Sequence, residues 1–176
     1  MSHALSRPGS QRGRAVAVAL LVGLLLSGGG CSKEQDKPEE PDRLPDVSLS
    51  SLSGGERVDL ASMRGPMVVN LWASYCIPCR RELPLYQAYS EKYAGKVDVV
   101  GIDFQETRPE SAREMVRETG VKFPLYADPD GELRAVGLPK VILLDEQGRV
   151  AFEQYVEITS VAHLEKLVTK HLGVPS

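Results

Sequence analysis

Two cysteines three residues apart form the part of this sequence best suited to chemistry. Cys76-Ile-Pro-Cys79 follows Met67 to Ala73, an apolar run broken only by Asn70. Such a run predicts a buried strand, and the residues after the pair favour a helix that Gly95 ends. An i, i+3 spacing at the start of a helix brings two sulfurs within bonding distance. The pattern therefore predicts a pair that can form and break a disulfide.

The two sulfurs should differ in reactivity because they differ in position. The first lies at the positive end of the helix dipole, among amide groups without intrahelical partners, and this stabilises a thiolate. Pro78 costs no hydrogen bond in the first turn. Since the thiolate is the attacking species in thiol–disulfide exchange, we expect Cys76 to be the nucleophile and Cys79 the resolving cysteine.

Two other interpretations of the cysteine pair stay open: a static disulfide, and half of a zinc site. A structural zinc ion takes four ligands. The third cysteine, Cys31, lies close to the N-terminus, and His163 and His171 are eight residues apart near the other end. A strand before the pair and a helix after it favour redox chemistry over both.

The composition limits the architecture and the partners. The 176 residues include 42% hydrophobic and 26% charged side chains, with a net charge of −3. These are ordinary globular values, and the length suits one domain with a tail. No basic stripe with interleaved aromatic residues is present, so the sequence predicts no nucleic-acid partner. It predicts no cofactor either.

The first 30 residues are typical of a secretory signal peptide. Three arginines precede an apolar run from Ala15 to Leu26, and small residues follow up to Gly30. A basic segment, a short apolar segment and a small-residue exit define such a signal. The apolar run is shorter than the roughly 20 residues that a spanning helix requires. We therefore expect residues 1–30 to direct export.

The next segment predicts a membrane anchor and a tether. The sequence around Cys31 resembles a bacterial lipoprotein signal, which implies lipidation of that cysteine, although Gly28 stands where leucine is usual. The residues up to Pro45 are rich in Lys, Glu, Asp and Pro, and a segment of this composition cannot bury enough surface to fold. We interpret residues 31–45 as a lipid-anchored flexible tether on the periplasmic side of a bacterial membrane, and residues 46–176 as the folded domain.

The folded domain alternates strands and helices. Sequence patterns predict an opening hairpin around a glycine turn, three further strands, a closing hairpin and three helices. Thr107-Arg-Pro-Glu110 has the form of a capping box at the start of the second helix, and Thr159 or Ser160 is expected to cap the third. This order of elements favours an α/β domain with a mixed sheet.

The segment from Asn70 to Pro84, NLWASYCIPCRRELP, resembles the active-site signature of membrane-anchored thioredoxin-like oxidoreductases, the TlpA/ResA-like family. The likeness extends from about Pro45 to Gly173 and includes Leu138-Pro139 before an apolar strand. It implies a thioredoxin fold: a central mixed sheet flanked by helices, with an N-terminal β-hairpin extension.

The resemblance also implies roles for individual residues. Pro139 matches a cis-proline that lies against the active-site disulfide, and Glu82 matches an acid expected near Cys79, where it would accept a proton or orient the substrate. The implied substrate groove consists of Trp72, Tyr75, Ile77, Pro78, Leu138 and Pro139.

The sequence departs from the family pattern at the groove. Tyr75 replaces a tryptophan, Ile77 is bulkier than usual, and Lys140 replaces a threonine, which predicts a cation in the groove. The stretch from Asp128 to Gly137 is shorter than in the family, so we expect either a turn or a brief helix of one turn before Pro139.

The resemblance implies an extracytoplasmic thiol–disulfide oxidoreductase. Its members act mostly as reductases of partner protein disulfides, for example in cytochrome c maturation, and are themselves reduced by a membrane electron-donor protein. An oxidase or isomerase of the same fold remains open, as do two functions of another class, a copper metallochaperone and a non-catalytic binding module.

Overall fold

The structure, a computed structural model, describes residues 42–175 as seven strands and three helices. The strands are β1 Ser48–Ser51, β2 Val58–Asp59, β3 Met67–Trp72, β4 Asp98–Phe104, β5 Leu125–Asp128, β6 Lys140–Leu144 and β7 Val150–Gln154. The helices are α1 Ile77–Lys92, α2 Pro109–Thr119 and α3 Val161–Leu172. The predicted signal peptide, Cys31 and the tether up to residue 41 lie outside the described residues. In the range that is described, no helix combines the length and the apolar character needed to cross a membrane.

The folded domain begins earlier than the predicted boundary at residue 46. Arg43 forms a β-bridge with Arg149, and Leu44 is buried in the core. The Val150 amide donates to the Asp42 carbonyl over 2.7 Å. Residues 42–45 therefore belong to the fold, and their assignment to the tether was wrong.

The seven strands form one mixed sheet in the order β2-β1-β5-β4-β3-β6-β7. The strand that leads to the cysteines, β3, is central: it runs parallel to β4 and antiparallel to β6. All six of its residues are buried, as its apolar sequence predicted. The mixed sheet with its N-terminal hairpin is confirmed.

The sheet separates two hydrophobic clusters, because successive side chains of a strand point to opposite faces. Val68 and Trp72 of β3 belong to the first cluster, which contains the buried residues of all three helices. Val69 and Leu71 belong to the second, which the N-terminal hairpin and the segment after β5 cover. The helix that carries the cysteine pair is thus fixed to one face of the central strand.

One predicted helix detail was wrong. The second helix has Arg108, not Thr107, at its N-cap position, and no side chain caps it. Between β5 and β6 the chain forms turns and bends, which is the turn and not the brief helix of the two predicted alternatives. The Asp128 carboxylate accepts hydrogen bonds from the amides of Glu132 and Leu133 at 2.9 and 3.1 Å. The prediction that Ser160 could cap the last helix is confirmed, since its side chain accepts from the His163 amide.

Candidate active site

Cys76 and Cys79 form a disulfide at the start of α1. Cys76 is the N-cap residue with extended backbone, and its sulfur accepts a hydrogen bond from the Cys79 amide at 3.3 Å. Cys76 keeps 7% of its surface exposed, whereas Cys79 is fully buried. A partner sulfur can therefore reach Cys76 directly and cannot reach Cys79.

A cleft of about 470 Å³ opens beside Cys76. Its sides are formed by three segments: one around the cysteine pair, one at the end of β4 and one that precedes β6. The lining residues are Tyr75, Cys76, Ile77, Pro78, Phe104, Gln105, Ala135, Val136, Gly137 and Leu138. Four of the predicted groove residues are among them, while Phe104, Ala135 and Val136 were missed because the sequence does not show which loops meet.

Trp72 and Pro139 take a different position from the other predicted groove residues. Trp72 is fully buried in the helix-side cluster, so it supports the site from beneath and does not face the cleft. Pro139 is also buried, and the Leu138–Pro139 peptide bond is cis. Leu138 lines the cleft, whereas Trp72 and Pro139 do not.

Glu82 is fully buried on the inner face of α1. One carboxylate oxygen accepts a hydrogen bond from the Ile158 amide at 2.8 Å, and the other has no partner among the described residues. Burial raises the pKa of Glu82 to about 8, and the hydrogen bond from Ile158 opposes that rise. The group lies three residues after Cys79, one turn further along the same helix.

Glu106 holds the loop in front of Cys76 in place. Its two oxygens accept hydrogen bonds from the Ser74 amide at 2.9 Å and the Arg108 amide at 2.7 Å. These hydrogen bonds together lower its pKa, although burial, the largest single influence, acts in the opposite direction. The Tyr75 hydroxyl donates to the Phe104 carbonyl at 3.3 Å, a second tie between the same segments. The role of Glu106 was not predicted. The only indication of it in the sequence was an acidic residue two positions after a buried strand.

Asp103, at the end of β4, is a second buried acid near this loop. It is 2% exposed, and one of its oxygens has no partner within residues 42–175. Burial and then the neighbouring Glu106 carboxylate raise the pKa of Asp103 to about 7. Burial, followed by the charges of Glu106 and Asp103, also raises the pKa of Tyr75.

Lys140 does not supply the cation that we expected in the groove. Its side chain is buried, and its ammonium group pairs with the Glu153 carboxylate on β7 at 2.8 Å. The same nitrogen lies 5.3 Å from the centre of the Tyr155 ring. The charge is thus paired with the edge strand β7, and Lys140 is not among the residues that line the cleft.

The histidines considered for metal binding lie on α3. His171 stacks against Phe152 with 4.1 Å between ring centres, and His163 follows the Ser160 cap. Within the described range, no three His, Cys, Asp or Glu side chains are grouped as a metal site would require. The stacking contact explains His171 as a packing residue.

The site has the parts that disulfide exchange needs. One sulfur is accessible at a helix N-terminus, its partner is bonded to it from below, and an apolar cleft lies beside them. A helix N-terminus stabilises the thiolate that forms when the disulfide is reduced. The arrangement can therefore exchange its disulfide with that of another molecule.

Comparison with known proteins agrees with this chemistry. The Redoxin family model matches residues 39–168. The thioredoxin-like protein YneN of Bacillus subtilis is 34% identical over 125 residues, 66% of this chain and 72% of YneN. The thiol-disulfide oxidoreductase ResA of Bacillus cereus is 31% identical over 138 residues, 75% of this chain and 78% of ResA.

Solved structures show the same fold. A DsbF homologue from Corynebacterium diphtheriae aligns with a TM-score of 0.63 and 27% identity, over 82% of this chain and 96% of that one. A secreted thiol-disulfide isomerase from Corynebacterium glutamicum aligns with a TM-score of 0.59 and 27% identity, over 74% and 83%. This chain belongs to the Redoxin family and is a thiol–disulfide oxidoreductase with a thioredoxin-like fold.

Proposed function

We propose that the protein is an extracytoplasmic reductase of partner protein disulfides, acting through Cys76 and Cys79. The observation that carries the proposal is the unequal exposure of the two sulfurs: Cys76 reaches the cleft and Cys79 is fully buried. Exchange needs one sulfur that partners can attack and one that only its neighbour can reach. The direction, and a role in cytochrome c maturation, are proposed from the resemblance to the TlpA/ResA-like family.

The reaction has two steps. In the reduced protein, the Cys76 thiolate attacks one sulfur of the partner's disulfide, which forms a mixed disulfide and releases the other partner sulfur as a thiolate. The Cys79 thiolate then attacks Cys76, which releases the second partner thiol and forms the Cys76–Cys79 disulfide. Two electrons pass to the partner, and each thiolate released takes up one proton.

Glu82 is proposed to accept the proton of Cys79 in its ionised form, which is the minor form below pH 8 because burial raises its pKa. An ordinary thiol has a pKa of about 8.5, and the buried carboxyl group has a pKa of about 8. Groups of similar pKa exchange a proton with little cost in either direction. The unpartnered oxygen of Glu82 leaves one acceptor free for this purpose.

The cleft is proposed to hold the partner segment that carries the disulfide. Tyr75, Ile77, Pro78 and Leu138 supply an apolar surface beside the reactive sulfur, and Pro139 supports it from beneath. An apolar surface at this position favours segments whose apolar side chains lie next to the cysteine. A partner disulfide that is buried in the folded partner is accessible, together with its apolar neighbours, before that partner has folded.

The cellular location is proposed from the N-terminal sequence. Residues 1–30 would direct export, Cys31 would carry the lipid, and the following segment would tether the domain to the membrane. The similar thiol-disulfide isomerase from Corynebacterium glutamicum is a secreted protein, which supports export. A reductase in an oxidising compartment requires an electron supply, for which we propose a membrane electron-donor protein.

A second candidate direction has one supporting observation. The Corynebacterium glutamicum structure, 27% identical, is described as a thiol-disulfide isomerase. An isomerase or oxidase would use the same two cysteines and the same cleft. Only the reduction potential separates these activities.

Exchange by the full-length chain tests the proposal. The reduced protein is mixed with a peptide disulfide, and release of peptide thiol is followed over time. We expect Cys76→Ser to abolish release, whereas the matched variant Cys31→Ser keeps the wild-type rate. Equal activity of the Cys76→Ser variant and the wild type would show that this pair does not carry the reaction.

A further inference from the structure

The exposed large hydrophobic side chains of residues 42–175 lie in two groups of neighbours. Tyr75 and Ile77, on the cysteine side of the cleft, are 53% and 72% exposed, and Val136, on the opposite side, is 90% exposed. The fourth, Tyr155 at 45% exposure, contacts the backbone of Val136. Exposed apolar side chains that are grouped beside one cleft, unlike those scattered singly, mark an interaction site.

We call residues 135–138 the groove wall. They line the cleft between the turns after β5 and the buried Pro139. Within the described structure, the groove wall makes one hydrogen bond: the Val136 amide donates to the Tyr155 hydroxyl at 3.0 Å. Leu138 packs against both hydrophobic clusters and Ala135 against one, but neither Val136 nor Gly137 has such packing. The position of Val136 therefore depends on Tyr155.

Tyr155 is itself held by a buried charge. Val141 pairs with Gln154 in the antiparallel ladder of β6 and β7, so Lys140 and Tyr155 lie opposite each other at its end. The Lys140 ammonium group lies 5.3 Å from the centre of the Tyr155 ring and 2.8 Å from Glu153. A cation over an aromatic face is attracted to it, and the ion pair holds the ammonium group in place.

We propose that Tyr155 and Lys140 are positioning residues that hold the groove wall, so that Val136 contacts the partner segment and gives preference to apolar residues beside its cysteine. The inference rests on the proposed function of the cleft. Neither residue touches the reacting sulfurs. Both act through Val136, which lines the same cleft as Cys76 and Ile77.

The inference distinguishes selectivity from stability. If Tyr155 and Lys140 only stabilised the end of the sheet, removing them would lower the melting temperature and leave the choice of substrate unchanged. If they hold the groove wall, removing them weakens binding of apolar segments and leaves small disulfides unaffected. Tyr155→Phe is the sharpest change, because it removes the hydroxyl and keeps the ring over Lys140.

The test uses the reduced full-length chain and two peptides of equal length, each in mixed disulfide with glutathione. One peptide has Leu and Val beside its cysteine, and the other has Ser and Thr. Glutathione disulfide serves as the small substrate. Wild type is compared with Tyr155→Phe, Lys140→Met and Val136→Ser, and with Tyr126→Phe as the matched control. Tyr126 lies on β5, which three strands separate from β7.

Each reduced molecule delivers one pair of electrons, so the rates are measured in a single turnover. We expect the wild type to prefer the apolar peptide in the second-order rate constant of exchange, and Tyr155→Phe to reduce that preference about three- to tenfold, as the loss of one hydrogen bond predicts. The change should fall on the concentration of apolar peptide that gives half the maximal rate. Rates with glutathione disulfide and the reduction potential should stay at the wild-type values. Lys140→Met and Val136→Ser should act in the same direction, and Tyr126→Phe should not.

Three results would overturn the inference in distinguishable ways. A wild type that prefers neither peptide, or a Tyr155→Phe variant that keeps the full preference, removes the selectivity role and leaves the proposed function intact. An equal loss with all three substrates shows a purely structural role. A wild type that reduces none of them refutes the proposed function, and this inference with it.

Discussion

Glu82 should make the folded domain less stable as the pH rises toward 8. The carboxyl group is fully buried, and burial raises its pKa from 4.5 to about 8. Below pH 4.5 the group is protonated in both the folded and the unfolded chain, so it costs nothing. Between pH 4.5 and 8 the unfolded chain releases the proton and the folded chain retains it, so the free energy of unfolding falls. Above pH 8 the free energy of unfolding has fallen by the full amount that Glu82 contributes.

The size of the effect follows from the shift. One pKa unit corresponds to about 1.4 kcal/mol, so a rise from 4.5 to about 8 corresponds to about 5 kcal/mol. Glu82→Gln removes this cost, because glutamine has the shape of the protonated acid. Its carbonyl oxygen can still accept the hydrogen bond from the Ile158 amide.

Thermal unfolding of the oxidised chain between pH 4 and 9 measures the effect. At pH 4 wild type and Glu82→Gln should melt together, and at pH 9 the variant should melt on the order of 10 °C higher. Glu91→Gln, an exposed position on the same helix, is the matched control and should follow the wild type. If the difference in melting temperature between Glu82→Gln and wild type does not grow with pH, or if the variant is less stable at pH 9, the buried carboxyl group does not destabilise the fold as we expect.

Three further predictions follow from the site and the sheet. Cys79→Ser should accumulate a mixed disulfide between Cys76 and a peptide substrate, visible by mass spectrometry, because the resolving sulfur is missing; rapid turnover by this variant would contradict the roles. Glu106→Gln should lower the free energy of unfolding by about 1–3 kcal/mol in urea titration, since glutamine offers one acceptor where two amides donate; an unchanged midpoint would show that the loop holds itself. Gly101→Ala should lower the free energy of unfolding by about 1–3 kcal/mol. The added Cβ would lie 2.5 Å from a side-chain carbon of Leu125 and 3.0 Å from the Trp72 indole nitrogen. If the variant were as stable as the wild type, the Leu125 side chain would have to move aside freely.

The sequence was most informative where local patterns decide the structure. The apolar run of β3 and the helix start at Cys76 depend on neighbouring residues, and both are as predicted. The last helix begins after Ser160 for the same reason. The cis peptide bond at Pro139 could be expected only through the resemblance, because periodicity carries no information about it.

The second helix shows how one local pattern can override another. Thr107 and Glu110 have the spacing of a capping box, but Pro109 disfavours helical backbone at the residue before it. Arg108 accordingly has a non-helical backbone, with φ −131° and ψ 80°, and becomes the N-cap. The helix begins one residue later than the capping pattern requires, and Glu106 binds the free Arg108 amide.

The remaining differences come from contacts between residues distant in sequence. Glu82 bonds to Ile158, 76 residues away, and Lys140 faces β7 because of the register of the last hairpin. Trp72 is buried because helices cover its face of the sheet. No pattern along the chain specifies such pairs, since they depend on which faces pack together.

Whether the protein reduces its partners depends on the reduction potential of the Cys76–Cys79 pair. The full-length chain is equilibrated in redox buffers, alkylated and digested with trypsin, which places both cysteines in the peptide 65–80 and Cys31 in the peptide 15–33. We expect a reversible two-electron couple near or below about −250 mV, in the range of thioredoxin. A value near about −120 mV would make the protein an oxidant, and a pair that no buffer reduces reversibly would contradict the oxidoreductase assignment itself.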